Sequence, residues 1–397
     1  MADLNTLTNL IPDIYASIDQ VRREMTGFIP AVGRDSRAER AGKGDTVRVP
    51  VTTEEQTEPM TPGNITDDSG GNDVNTRPIT LTESKKVQIQ FTGEEIQSLE
   101  NQDVSGAESG FEAIRRDRIT QALRAMVNDV ETDLASLYTD AAQAYGTPGT
   151  TPFGTKDDFT DFAGVEQILD DLGAPSVERQ LVAGSESWFN LRGVQTGILQ
   201  RANEAGTDAA LRRGEFGDVH DMTLRNSAQV QSHSHGSITD VTANANSVGT
   251  TQVDVETAGS TGDISLNEGD LISFAGDDNL YVVASDTSAG AGVASTTIPI
   301  QEPGLRQATS GGDSVSAESD YKANAAFHRS AIQLAIRPPA LPEGGDNADL
   351  RQTIEDPMTG LSFDIAYYSQ YLQGHWELQA VWGQAVTKEE FMALLLG

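Results

Sequence analysis

The 397-residue sequence predicts an α+β chain, and three stretches carry that reading. Residues 111–146 hold the strongest helical stripe, 44–92 hold two alternating runs around a polar tip, and 237–305 hold a series of short strands separated by Gly, Asn and Asp turns.

The elements follow in chain order. In 1–29, Leu7, Leu10, Ile11, Ile14, Tyr15, Ile18 and Val21 recur at threes and fours, the spacing of a short amphipathic helix, with Pro12 in its first turn or breaking it. In 44–92, GDTVRVPVTTEE and ITLTESKKVQIQFTGEE alternate apolar and polar residues around EPMTPGNITDDSGGNDVNTRP, which describes a long two-stranded hairpin. With so little apolar content, such a ribbon needs another surface to lie on.

The helix at 111–146 aligns Ile119, Leu123, Met126, Val127, Val130, Leu134, Leu137, Tyr138, Ala141 and Tyr145, and Gly146 and Pro148 stop it. Its charges oppose the helix dipole. Arg115, Arg116, Arg118 and Arg124 crowd the N-terminal half, while Asp129, Glu131, Asp133 and Asp140 occupy the C-terminal half. Partners outside the helix are expected to compensate.

Residues 157–232 read as mixed α/β: a helix closed by Gly173 and Pro175, a buried strand at RQLVAGSESW, a helical stretch at WFNLRGVQTGILQRANEAG, and a strand in DVHDMTLRNSAQVQSH. Residues 237–305 read as a six-stranded barrel or sandwich whose flanks, HSHGS and ATSGGDSVSAESD, look like linkers, so the module is expected to be an insertion. The chain then continues through the strand NAAFHRSAIQLAIRPP, two aromatic strands meeting near Gly374, and a final segment of helical pattern. Tyr367, Tyr368, Tyr371, Trp376 and Trp382 alternate with aliphatic residues at strand spacing, which points to core and interface packing.

The composition narrows the function. A formal charge of −33, from 60 acidic against 27 basic residues, argues against non-specific attraction to nucleic acid or anionic membranes and suits a saline setting. There are no cysteines, which removes disulfides and thiolate metal sites. Only six of the basic residues are lysines; arginine, with its planar fork, suits specific ion pairs. The N-terminus has neither a basic start nor an unbroken apolar run, and no stretch is long enough to cross a bilayer, so a soluble chain made in a cytoplasm is expected.

Enzyme motifs are missing. AGKGD at 41–45 lacks P-loop spacing, GSES at 184–187 lacks the last glycine of a nucleophile elbow, and neither HExxH nor an EF-hand loop occurs. His233 and His235 are a weak metal pair in an apparently solvated linker, and Asp67, Asp68 and Asp73 suit calcium but also suit ordinary turns. The acidic pairs at 157–158, 170–171 and 277–278 read as helix entry and turn residues rather than catalytic carboxylates.

The order of parts, with LNEGDLISFAG at 266–276, NAAFHRSAIQLAIRPP at 324–339 and the run from Gly360 to Gly383, resembles the major capsid proteins of tailed bacteriophages. These share the HK-ninety-seven-like fold, and the similarity is greatest to the coat proteins of short-tailed Salmonella phages, which carry an inserted β-domain. The resemblance implies an N-terminal arm at 1–44, an extended loop at 45–92, a peripheral domain at 93–157 with a spine helix at 111–146, and apical segments at 158–236 and 306–345. It places the inserted domain at 237–305 and closing strands at 346–397.

It further implies a subunit without catalysis, metal or cofactor that tiles an icosahedral shell as pentamers and hexamers, assembled in the host bacterial cytoplasm and ending in the virion. A scaffolding protein would guide assembly and a portal protein would occupy one vertex, with a decoration protein left open. The shell would enclose double-stranded DNA without sequence-specific binding. Arg77, Lys85 and Lys86 of the loop and Arg115, Arg116, Arg118 and Arg124 of the spine are the expected inter-subunit contacts. An acidic, calcium-binding surface-layer or extracellular β-rich protein is the alternative.

Overall fold

The computed structural model describes residues 26–36, 39–51, 76–100, 110–194, 218–257, 261–355 and 359–397. The N-terminal helix expected within 1–25, the acidic tip with Asp67, Asp68 and Asp73, and the helical stretch beyond 194 lie outside the described residues. The chain is a mixed α+β fold in which sheets dominate.

Helix α3 (Gly110–Ala135) follows α1 (Phe28–Ala31) and α2 (Gly93–Glu100). Its stripe of Ile119, Leu123, Met126, Val127, Val130 and Leu134 is buried, as the three-and-four spacing predicts. That stripe shares one core with residues from β4 (Glu83–Thr92), β20 (Ile332–Arg337), β22 (Ser362–Gln370) and β23 (Gln373–Val386). These strands, with β1 (Gly33–Ser36) and β21 (Leu350–Glu355), make a six-stranded sheet in the order β1-β20-β23-β22-β21, with β4 also paired to β23.

The helix is shorter than its stripe predicts. After Ala135 the chain tightens into a 3-10 turn, Ser136–Asp140, and then becomes strand β5 (Gln143–Tyr145). Ladder pairing on both sides of β5 overrides the local helical pattern: β24 (Met392–Leu396) runs parallel to it and β15 (Leu280–Val282) antiparallel. The second alternating run, 79–95, also divides, and the strand that pairs in the hairpin starts within the stretch expected to be its tip. Thr76–Thr80 is β3 and pairs with β2 (Thr46–Pro50), whereas Glu83–Thr92 leaves the hairpin and joins the main sheet against β23.

The C-terminal segment expected to be helical is β24, buried at all its positions between β5 and β19 (Tyr321–His328). A short run of apolar residues fits a strand covered on both faces as well as a helix turn, and local pattern does not separate them. NAAFHRSAIQLAIRPP likewise divides into β19 and β20, which belong to different sheets.

Helix α4 (Thr160–Asp171) ends where Gly173 takes φ +77°, a conformation glycine adopts without steric cost. Strand β6 (Arg179–Ala183) is fully buried and runs parallel to β8 (Met222–Asn226), and α5 (Ser185–Gly193) follows β6 directly. β7 (Asp218–Val219) and β9 (Ser232–His233) are short additions.

The β-module contains nine strands rather than six, from β10 (Ser237–Thr239) to β18 (Asp313–Ala317). Its own core holds Val253, Val255, Ile264, Leu271's neighbour Ile272, Phe274, Tyr281, Ile298 and Val315. Val315 lies in the stretch read as a linker: β18 pairs with both β11 (Val241–Ala243) and β14 (Leu271–Phe274), so module packing runs past residue 305. LISFAGDDNLYVV is the β14–β15 hairpin, with Leu271 opposite Val282. Through the β15–β5 pairing, the module's sheet continues into the body as one sheet of 13 strands.

Candidate functional site

Two buried polar joints and the two-stranded ribbon are the features of the described residues that bear on function. The described residues contain no group of three or more potential metal ligands. The acidic pairs are occupied locally. Asp158 accepts the Thr160 N–H at 2.8 Å, Asp170 pairs with Arg179 at 2.6 Å, and Asp277 accepts the Tyr281 hydroxyl at 2.7 Å.

The first joint ties the module to the spine. His233 and His235, read in the sequence as solvated linker, are buried instead. His233 Nε2 lies 2.7 Å from Asp270 Oδ1, and its Nδ1 lies 2.7 Å from the Tyr138 hydroxyl. A carboxylate only accepts, so Nε2–H donates to Asp270, and the Tyr138 hydroxyl is the partner of the other ring nitrogen. Asp270 also accepts the Asn267 N–H at 2.7 Å and the Gly236 N–H at 3.0 Å. Beside it, Tyr321 donates to the Gly269 carbonyl at 2.6 Å, and His235 Nε2 accepts the Leu271 N–H at 2.9 Å.

Burial by itself would raise the Asp270 pKa. The donated bond from His233, the Asn267 N–H, the nearby His235 and the Gly236 N–H together bring it below the ordinary carboxylate value. Tyr138, raised mainly by burial and further by Asp270 and Glu268, keeps its proton. A hydroxyl, an imidazole and a carboxylate in series can relay a proton. His233 and Asp270 are buried, however, Tyr138 is half-buried, and the clefts of about 500 and 1030 Å³ are lined by other residues. It is a buried polar joint between spine, crossover and module.

The second joint answers the reversed charges of the helix. Glu131 is fully buried and accepts the N–H groups of Gly27, Phe28 and Ile29 at 2.5, 2.8 and 2.9 Å and the Ser227 hydroxyl at 2.7 Å. Asp133 accepts the Trp382 indole N–H at 2.8 Å, and Asp129 meets Lys85 at 3.1 Å. The acidic half of the spine therefore finds its partners inside the same chain. Sequence reasoning marked Glu131 only as a misplaced charge; its isolation among Val130, Leu134 and Val127 on the buried stripe was the available signal.

The ribbon is β2–β3. Its lower end is docked: Ile79 and Leu81 are fully buried against Ala335 and Val381. Above that both strands alternate half-exposed and exposed residues, and the chain passes out of the described region at Val51 and Thr76. Arg77 sits at this exit, 3.0 Å from Glu389 and 3.2 Å from the Val386 carbonyl.

The cations singled out in the sequence divide accordingly. Lys85 pairs with Asp129 and lies 5.3 Å from the Trp382 ring, and Lys86 pairs with Glu377 at 2.9 Å. Arg115 is buried, Arg118 is exposed and Arg124 is half-buried; the Arg116 side chain lies outside the described residues. Among the aromatics, Trp376 and Trp382 are core, while Tyr371 and Leu372 form the β22–β23 tip at 90% and 74% exposure.

No protein-family model matches the chain, and no curated protein matches it. Among solved structures it is similar to one titled Mycobacterium phage Che8, with a TM-score of 0.47 and 14% identity over 94% of this chain and 91% of that one. It is also similar to the capsid of the cyanophage P-SCSP1u, at TM-score 0.47 and 11% identity over 94% and 88%. A virus-like particle from Pyrococcus furiosus gives 0.44 and 8% over 99% and 100%.

Proposed function

We propose that this chain is a major capsid protein, a structural subunit that assembles with copies of itself into a closed shell around phage DNA. The observation that carries the reading is the β2–β3 ribbon. One face, with Val47, Val49 and Ile79, packs toward Ala335 and Val381 of the body, while the other exposes Thr46, Arg48, Pro50, Thr76, Pro78 and Thr80. A two-stranded ribbon is marginal in water by itself, and the face that its own body leaves open is the one that a neighbouring subunit would cover.

The uncharged, exposed Tyr371–Leu372 tip agrees with this, since copies of a chain at −33 associate most readily where charge is absent. The same acidity suits a container wall that does not grip packaged DNA. In this reading the shell has pentamers and hexamers, a scaffolding protein directs assembly, a portal fills one vertex, and Arg118 with the exposed parts of Arg77 and Lys86 meets neighbouring subunits. The module faces outward as an elaboration of the shell subunit.

Negative-stain electron microscopy of the chain alone and with its scaffolding protein tests this directly. Hollow particles, with or without tubes, are the expected result; monodisperse monomers across salt and concentration overturn it. Deleting 62–75 should leave the tryptophan fluorescence and unfolding midpoint of the monomer unchanged while reducing particle yield. If the deletion unfolds the monomer, the ribbon belongs to the subunit's own core and its assignment to a neighbour fails.

A further inference from the structure

The spine helix ends without a local stop. From Ser136 to Tyr145 the sequence SLYTDAAQAY has neither glycine nor proline, contains three alanines and continues the apolar stripe through Leu137, Tyr138, Ala141 and Tyr145, a composition that favours more helix. α3 nevertheless closes at Ala135, a 3-10 turn follows, and Ala141 is extended at φ −71° and ψ 141°. Ladder pairing accounts for Gln143–Tyr145 but not for the turn before it.

The groups that hold the turn come from the β-module. The Thr139 carbonyl, which a continuing helix would give to the Gln143 N–H, accepts the Gln301 side-chain amide N–H at 2.9 Å. Gln301 is buried, and its backbone N–H donates to the Val282 carbonyl at 3.0 Å, so the amide is delivered from a fixed backbone. The Thr139 hydroxyl donates to Glu268 at 3.1 Å, and the Glu268 N–H is fixed by Asp286 at 2.8 Å. Tyr138 is tied through His233 to Asp270 of the same Asn267–Asp270 turn. Between Glu268 and Asp270, Gly269 takes φ +90°, and a Cβ there would lie 2.8 Å from Thr139 Cγ2.

We propose that the module is a tertiary C-cap for the spine: Gln301 and the Asn267–Asp270 turn hold Tyr138 and Thr139 out of the helix, and Ser136–Ala142 is a two-state segment whose other state is a longer α3. With that grip released, the Leu137 and Tyr138 carbonyls take the Ala141 and Ala142 N–H groups at i+4, in place of the present bonds from Ala141 to the Tyr138 carbonyl and from Ala142 to the Met392 carbonyl. The seating of the module thereby sets the length of the spine. All of these groups belong to one chain, so the cap stands whether or not copies assemble.

Carbon-13 alanine NMR of the full chain reads the segment at Ala141 and Ala142. Gln301→Met keeps the side chain's size and removes the donor without touching the spine. The helical population at the two alanines should rise about 5-fold in Gln301→Met, the effect of one lost hydrogen bond, and about 25-fold when Glu268→Ala is added, with Cα shifts moving toward helical values. Gln301→Lys, which retains a donor for the carbonyl, should keep the wild-type shifts. Unchanged or coil-like shifts at Ala141 and Ala142 in the double variant, with the Val253 and Val255 methyl signals of the module native, overturn the cap. So does a Gln301→Lys response equal to that of Gln301→Met. If the double variant unfolds the module, Gln301→Met alone decides by the same criterion.

Discussion

Replacing Glu131 with alanine tests the account of how the chain is held together at a fully buried charge. The carboxylate accepts three backbone N–H groups and one hydroxyl, at 2.5 to 2.9 Å, with no exposure to solvent. Orphaning each buried donor costs about 1–3 kcal/mol, although the Ser227 hydroxyl can rotate to another acceptor. Against this stands the relief of no longer burying a charge, worth several kcal/mol on the same scale.

The balance predicts a loss of about 3 kcal/mol at pH 7 for Glu131→Ala. For Glu131→Gln, which keeps one acceptor oxygen but turns an NH2 toward a backbone N–H, the expected loss is about 1–2 kcal/mol. Urea unfolding followed by the fluorescence of the buried Trp376 and Trp382 measures both. The pH dependence has a definite sign. Burial outweighs the donors and raises the Glu131 pKa above its ordinary value, so the native state binds the proton more tightly than the unfolded chain does. The wild-type contribution is therefore largest on the acid side and declines as pH rises from the unfolded pKa to the folded one. The gap to Glu131→Ala should narrow with rising pH. A Glu131→Ala stability within about 0.5 kcal/mol of wild type would show that the Gly27–Ile29 segment is held by packing alone.

Two further outcomes follow from the joints and the sheet. Asp270 titrates below the ordinary carboxylate value, so its contribution is fully present above the unfolded pKa and is lost as pH falls through the folded one. Asp270→Asn should cost about 2 kcal/mol at pH 7 and flatten acid unfolding below pH 4, read by near-UV circular dichroism; an unchanged acid limb would refute the joint. At Gly383, an added Cβ would lie 2.1 Å from the Thr80 carbonyl oxygen and 2.9 Å from the Leu81 Cα, both backbone atoms. Gly383→Ala should therefore cost about 1–3 kcal/mol and lift the ribbon base from β23, with hydrogen exchange at Ile79 and Leu81 rising first; native protection there would show that the contact relaxes freely.

The amino-acid sequence by itself determined the α+β class, the buried stripe from Ile119 to Leu134, the strand of a two-stranded ribbon within 44–55, the close of α4 at Gly173 and the β-rich character of 237–305. Each depends on periodicity or turn chemistry over a few residues, where the backbone's own preferences decide the outcome. Tertiary structure decided the rest. Gln143–Tyr145 and Met392–Leu396 became strands because each completes a ladder supplied by distant segments, and apolar runs this short do not distinguish strand from helix locally. Glu83–Thr92 left the ribbon for β23 for the same reason.

The joints were legible least of all. His233 and Asp270, or Glu131 and Gly27, look like solvated turn residues or misplaced charges until folding brings separations of 37 and 104 residues to hydrogen-bond distance. A buried polar group is stable only when its partners are present, and those partners exist only in the folded chain.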